Sequence, residues 1–167
     1  MVREMDKGYV QIFCGNGDGK SSAAIGKAIF SAIEGKHVII VQFMKKKDMD
    51  EAEFFQKLEP QIKLFRFEKM DISFEELNEQ EKSEEITNIR NGLNYAKKVL
   101  TTGECDVLIL DEALGLIDEG IIGMDEIINV LCARSESETI FLTGINLPDE
   151  LKEYVNMVSI IETQVNH

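Results

Sequence analysis

Short apolar runs alternate along the chain with longer stretches in which apolar residues recur every three or four positions. The runs at Tyr9 to Cys14, His37 to Phe43, Ile62 to Phe67, Val107 to Leu110, Thr139 to Thr143 and Met157 to Ile161 predict β-strands. Between them, Ser21 to Ile33 sets Ala24, Ala28, Ala32, Ile25 and Ile29 on one helical stripe and stops near Gly35. A second helix is expected over Asp50 to Leu58, closed by Pro60. The clearest helical pattern is Ile86, Ile89, Leu93, Ala96 and Leu100, with Gly103 beyond its end, and Met124, Ile127, Ile128 and Leu131 form another. Glu68 to Ser83 is acidic and aperiodic, which predicts a mobile loop or a helix start.

Strands such as Val38 to Val41 are apolar at every position, so both of their faces must be covered. Alternation of such strands with helices therefore predicts a three-layer α/β fold, a mainly parallel sheet of about six strands with helices on both faces. No internal repeat or Pro/Ser-rich linker divides the chain, and residues 1–167 are expected to form a single domain.

Composition narrows the partners. With 44% hydrophobic residues, 12 Gly and 2 Pro in 167 residues, the chain has the makeup of a globular protein, not a disordered or collagen-like one. Its 18 Lys and Arg against 31 Asp and Glu give a net charge of -13, which opposes binding to nucleic acid or an anionic membrane. Its apolar runs fall far short of the ~20 residues needed to cross a bilayer. Met1 to Lys7 carries four charges and no secretory pattern, so a cytoplasmic location is expected. Cys14, Cys105 and Cys132 lack metal-ligand spacing and fit small, reduced, buried side chains. His37 and His167 have no partner at ligand spacing.

The segment Gly15-Asn16-Gly17-Asp18-Gly19-Lys20-Ser21-Ser22 lies directly between the first strand and the first helix. Glycines let successive N–H groups face inward, the helix start adds its dipole, and Lys20 brings a full positive charge to terminal phosphates. Ser21 would offer a hydroxyl to Mg2+. The pattern departs from G-x-x-x-x-G-K-[ST] in one place, Cys14 standing where the first glycine is expected.

Val107-Leu108-Ile109-Leu110-Asp111-Glu112 is an apolar strand running into two acids, the form in which a carboxylate holds Mg2+ directly or through water. In a parallel sheet all strands end at one edge. Gly15 to Ser22, Gln42 to Lys45, Asp111-Glu112 and Thr143-Gly144 are therefore expected to converge on one crevice. Lys45, Lys46 and Lys47 form a rare basic cluster that either meets phosphates or carboxylates of a substrate or is simply solvated.

Taken in order, G-N-G-x-G-K-[ST]-[ST]-A-A at Gly15 to Ala24, V-x-x-V-Q-F at Val38 to Phe43, L-D-E at Leu110 to Glu112 and L-T-G at Leu142 to Gly144 followed by Pro148 resemble the ATP:corrinoid adenosyltransferases. The likeness spans most of the chain and implies a P-loop NTPase fold of the RecA-like kind. It also implies that a Co(I) corrinoid attacks the 5' carbon of ATP and expels triphosphate. On this reading Gly15, Asn16, Gly17, Asp18, Gly19, Lys20, Ser21 and Ser22 hold the nucleotide, Lys20 is catalytic, and Ser21 with Asp111 or Glu112 holds Mg2+. A homodimer and a reduced flavoprotein as electron donor are further implications.

The chain departs from the family pattern at three places. There is no Trp after the third strand, where Phe65, Phe67 and Phe74 are the available aromatics; Ile145 follows Thr143-Gly144 where an arginine is common; and eight residues precede the first strand, too few for an amino-terminal lid. Two other readings are open on the sequence. One is a nucleotide-binding regulatory homologue without corrinoid activity, and the other is an ATPase or small-molecule kinase on the same scaffold.

Overall fold

Apolar residues alternate across the strands and load both faces of one sheet. In the computed structural model, which describes residues 8–44, 49–67 and 72–167, Leu108 and Leu110 point to one side while Val107 and Ile109 point to the other. The elements run β1 (Tyr9–Cys14), α1 (Lys20–Ile33), β2 (Val38–Gln42), α2 (Met49–Gln56), β3 (Ile62–Arg66), α3 (Glu79–Thr101), β4 (Val107–Asp111), α4 (Ala113–Asp118), α5 (Met124–Cys132), β5 (Thr139–Thr143) and β6 (Met157–Ile160), with 3₁₀ turns at Phe74–Glu76 and Asp149–Tyr154.

All pairings are parallel, and the strand order is β3-β2-β4-β5-β1-β6. The expected three-layer α/β fold is thus present. Helices α1 and α2 cover the face formed by Phe13, Ile40, Ile109 and Phe141, while α3, α4 and α5 cover the face of Ile12, Val41, Leu110 and Leu142. Among the described residues no helix is long and apolar enough to cross a membrane.

Most predicted elements stand within two residues of their expected ends, and the differences have local causes. Helix α1 buries only Ala24 and Ala28, whose small side chains let it sit close to the sheet, while Ile29 is turned outward. Helix α3 begins seven residues before its first periodic apolar residue, Ile86. A reciprocal cap starts it: the Glu81 N–H donates to Asn78 Oδ1 at 2.8 Å, and the Asn78 N–H donates to Glu81 Oε2 at 3.0 Å. The aperiodic Glu68 to Ser83 stretch therefore ends in helix; its residues 68–71 lie outside the described residues, as do Lys45, Lys46 and Lys47.

Two of the three thiols match the expectation of buried, inert side chains. Cys14 and Cys105 are buried, whereas Cys132, on the last turn of α5, is exposed. Burial raises the Cys105 thiol, reinforced by Glu138, Asp106 and Glu104, to a pKa of about 12. Burial also raises Cys14, against the opposing charges of Lys152 and Lys20. A raised pKa means less thiolate at neutral pH and slower attack on electrophiles. Native protein treated with iodoacetamide at pH 7.5 is expected to gain one adduct by mass, at Cys132, and three after unfolding.

Candidate active site

Asp111 is the last residue of β4, 2% exposed, and its carboxylate accepts hydrogen bonds on both oxygens. Ser21 Oγ and Thr143 Oγ1 each donate to Oδ1 at 2.7 Å, and Gln42 Nε2 donates to Oδ2 at 3.3 Å. One acid thus ties together the first turn of α1 and the ends of β2, β4 and β5. The convergence expected from parallel strand ends is realised at a single side chain. Buried carboxylate oxygens need donors in place of water, and Ser21, Thr143 and Gln42 supply them here.

The tether of Gln42 extends outward. Its Oε1 accepts from Arg66 Nε at 2.9 Å, which fixes which way the amide points, and Arg66 NH2 pairs with Glu51 Oε2 at 3.0 Å. Arg66 at the end of β3 and Glu51 on α2 are site residues that the sequence reading missed. No local pattern marks them, because they act through Gln42 from separate elements.

The loop before α1 leads directly into the positive end of that helix. Gly19 caps the helix in the left-handed region at φ 104°, and a Cβ there would find nothing within 4 Å. Lys20, Ser21 and Ser22 form the first turn, where backbone N–H groups have no partner inside the helix and the helix dipole is positive. The Lys20 ammonium donates to Gly17 O at 2.7 Å, so it closes the loop across its mouth. The amides of Gly15, Gly17 and Asp18 are engaged elsewhere, by Ile145 O, Ile161 O and Thr163 Oγ1 at 2.9 Å each. Asn16 is exposed at the tip of the loop.

Glu112 takes a left-handed backbone, φ 62° and ψ 20°, at the start of α4, and its N–H donates to Thr143 Oγ1 at 2.8 Å. That sharp corner sends the chain from β4 straight into a short helix that the sequence reading did not foresee. Thr143 therefore serves both acids, donating to the Asp111 side chain and accepting from the Glu112 backbone. Ser21 and Asp111 supply hard oxygen donors of the kind Mg2+ takes, side by side. Among the described residues no group of three or more His, Cys, Asp or Glu side chains could hold a metal ion alone.

A cavity of about 280 Å³ opens at the same sheet edge, lined by Met44, Phe67, Phe74, Leu77 and Ile89, with Glu85 and Glu119 among its polar residues. Met44 follows β2 and Phe67 follows β3, so the cavity sits beyond the strand ends on the α3 side. Of the three candidate aromatics, Phe67 and Phe74 line it, whereas the Phe65 ring packs on Tyr95 with centroids 4.8 Å apart. Gly92 of α3 makes room for this wall: a Cβ there would lie 2.7 Å from Phe67 Cγ and 3.0 Å from Phe43 Cε1. Ile145, in the place where an arginine is common, is 48% exposed.

Thr143→Val tests the carboxylate cluster, since it removes one donor to Asp111 and the acceptor of the Glu112 N–H at a fully buried position. The expected outcome is a loss of about 1–3 kcal/mol, read as a lower urea midpoint at unchanged slope.

Comparison with known proteins identifies the family of the chain. A model of the family ATP:corrinoid adenosyltransferase BtuR/CobO/CobP matches residues 6–167. The corrinoid adenosyltransferase of Escherichia coli strain K12 is 27% identical over 92% of this chain and 76% of its own length. Corrinoid adenosyltransferase CobA of Salmonella typhimurium is 26% identical over the same shares. Among solved structures, a KaiC-like protein of Pyrococcus horikoshii OT3 matches with a TM-score of 0.48 and 15% identity, over 84% of this chain and 63% of that one, under two thirds of its length. By the match across nearly its whole length, the chain belongs to the ATP:corrinoid adenosyltransferase family.

Proposed function

We infer that this chain transfers the 5'-deoxyadenosyl group of ATP to a reduced Co(I) corrinoid and releases triphosphate. The observation that carries the reading is the glycine loop at the start of α1, the Lys20 ammonium and the Asp111 cluster at the same sheet edge as an aromatic-walled cavity, in a chain matched to this family over residues 6–167. Attack at the 5' carbon moves negative charge onto the departing triphosphate. In this proposal the fixed N–H dipoles of the first turn of α1 and the Lys20 charge act on that growing charge, and preorganised donors of this kind lower a barrier by several kcal/mol.

Because the nucleophile is the substrate's own metal, the reaction needs no protein acid–base pair. The residues Gly15 to Ser22 form the nucleotide site in this proposal, with Gly19 to Ser22 contributing the inward amides. Ser21, Asp111 and Glu112 would hold Mg2+, which when bound would offset charge on the triphosphate. Phe67, Phe74 and Met44 would face the corrinoid, Phe67 and Phe74 in the part that an aromatic segment with Trp takes in relatives. A reduced flavoprotein as the source of the cobalt electron, a homodimer and a cytoplasmic location complete the proposal.

Mixing the protein with MgATP and chemically reduced cob(I)alamin is expected to yield the photolabile adenosylated product with one triphosphate per turnover. Release of ADP and phosphate instead would select the kinase or ATPase reading. Nucleotide binding with no product would select the regulatory reading, which the exposed Ile145 and the missing Trp favour. Lys20→Ala is expected to lower kcat/KM roughly 10²–10³-fold with circular dichroism unchanged and melting temperature little changed, because the loss is one hydrogen bond, to Gly17 O. Phe67→Ala and Phe74→Ala are each expected to raise KM for the corrinoid several-fold while leaving KM for ATP near that of the parent enzyme.

A further inference from the structure

The backbone that leaves β6 continues alongside the phosphate loop. The Ile161 N–H donates to Cys14 O at 2.8 Å, the Gly17 N–H to Ile161 O at 2.9 Å, and the Asp18 N–H to Thr163 Oγ1 at 2.9 Å. A Cβ on Gly15 would fall 2.5 Å from Ile161 O, and one on Gly17 would fall 2.7 Å from the same oxygen and 2.8 Å from Glu162 C. Two glycines of the loop therefore make room for this segment, and only Gly19 lies open to a ligand.

Asp18 N–H and Gly17 C=O belong to one peptide group. That bond is trans, so its N–H and C=O point in opposite directions. Thr163 Oγ1 holds the N–H side, and Lys20 Nζ sits on the C=O side at 2.7 Å. The threonine hydroxyl thus fixes the plane of the peptide whose carbonyl seats the lysine ammonium. Were the peptide to turn over, the carbonyl would leave Lys20 and the N–H would leave the threonine together.

We propose that Thr163 is a positioning residue for Lys20: through the 17–18 peptide it sets where the ammonium waits before triphosphate arrives. Preorganisation of this kind is felt as nucleotide affinity, because a loop already ordered loses less freedom on binding. The inference rests on the loop being the triphosphate site, and MgATP binding by the parent protein tests that reading separately.

Thr163→Val removes the hydroxyl from an exposed residue at nearly constant size. The dissociation constant for MgATP, measured by calorimetry, is expected to rise roughly three- to tenfold, the range of one net hydrogen bond. Corrinoid KM should not move, Thr163→Ser should restore the affinity, and amide exchange at Asp18 should quicken in the valine variant while its melting temperature changes little. In a Lys20→Ala background the same substitution should cost less than twofold, since the effect passes through the lysine. Affinity in Thr163→Val equal to or tighter than the parent would overturn the proposal. So would an equal loss in Thr163→Ser, or an undiminished cost in the Lys20→Ala background.

Discussion

Everything at the site hangs on seating one carboxylate inside the protein. Asp111 lies at the point where four segments distant in sequence must meet, and Ser21, Thr143 and Gln42 each turn a donor toward its buried oxygens. The requirement works in both directions. The acid needs the donors, and the donors, two hydroxyls and an amide at the ends of three separate elements, are fixed in place by the acid. A parallel sheet brings its strand ends to one edge without specifying their side chains. The carboxylate converts that edge into a defined constellation.

The sheet was legible because two of its inner strands, β2 and β4, are nearly uninterrupted Val, Ile and Leu runs that fit a doubly covered strand. The predicted limits of β1 and β5 coincide with those observed. Helix starts were harder where polar caps, not apolar spacing, set the boundary: Asn78 and Glu81 carry the start of α3, and an N-x-x-E search would have found it. Helix α4 escaped notice because six residues contain too little of a period to see, and its cause, the left-handed corner at Glu112, is a backbone feature. At the site, Lys20, Ser21, Asp111 and Glu112 were visible as motifs. Arg66 and Glu51 were not, since their meaning lies in an amide they hold through space. The pairing of Asp18 with Thr163 joins residues 145 positions apart and leaves no trace in local pattern.

The glycines of the loop show how a motif can be read correctly for an incomplete reason. A Gly-rich turn suggests that every glycine exists so that a ligand can approach the backbone. Here Gly15 and Gly17 face other main chain, and the open approach is left to Gly19 alone. This also eases the electrostatic problem of a chain with net charge -13 that must bring in a polyanion. In the proposed site, attraction would be concentrated in a helix start and one lysine within a short distance, where solvent screening is weakest and the surrounding acids count least.

The missing side chain at Gly92 leaves a notch on α3 into which Phe67 settles, against Phe43. The depth of that notch sets the resting height of the aromatic wall, and it belongs to α3, a helix apart from the glycine loop at the start of α1. Under the proposed function, selection among bulky co-substrates of different outline would be tuned from the outer layer of the fold, one methyl group at a time, while the machinery that expels the leaving group would be inherited untouched.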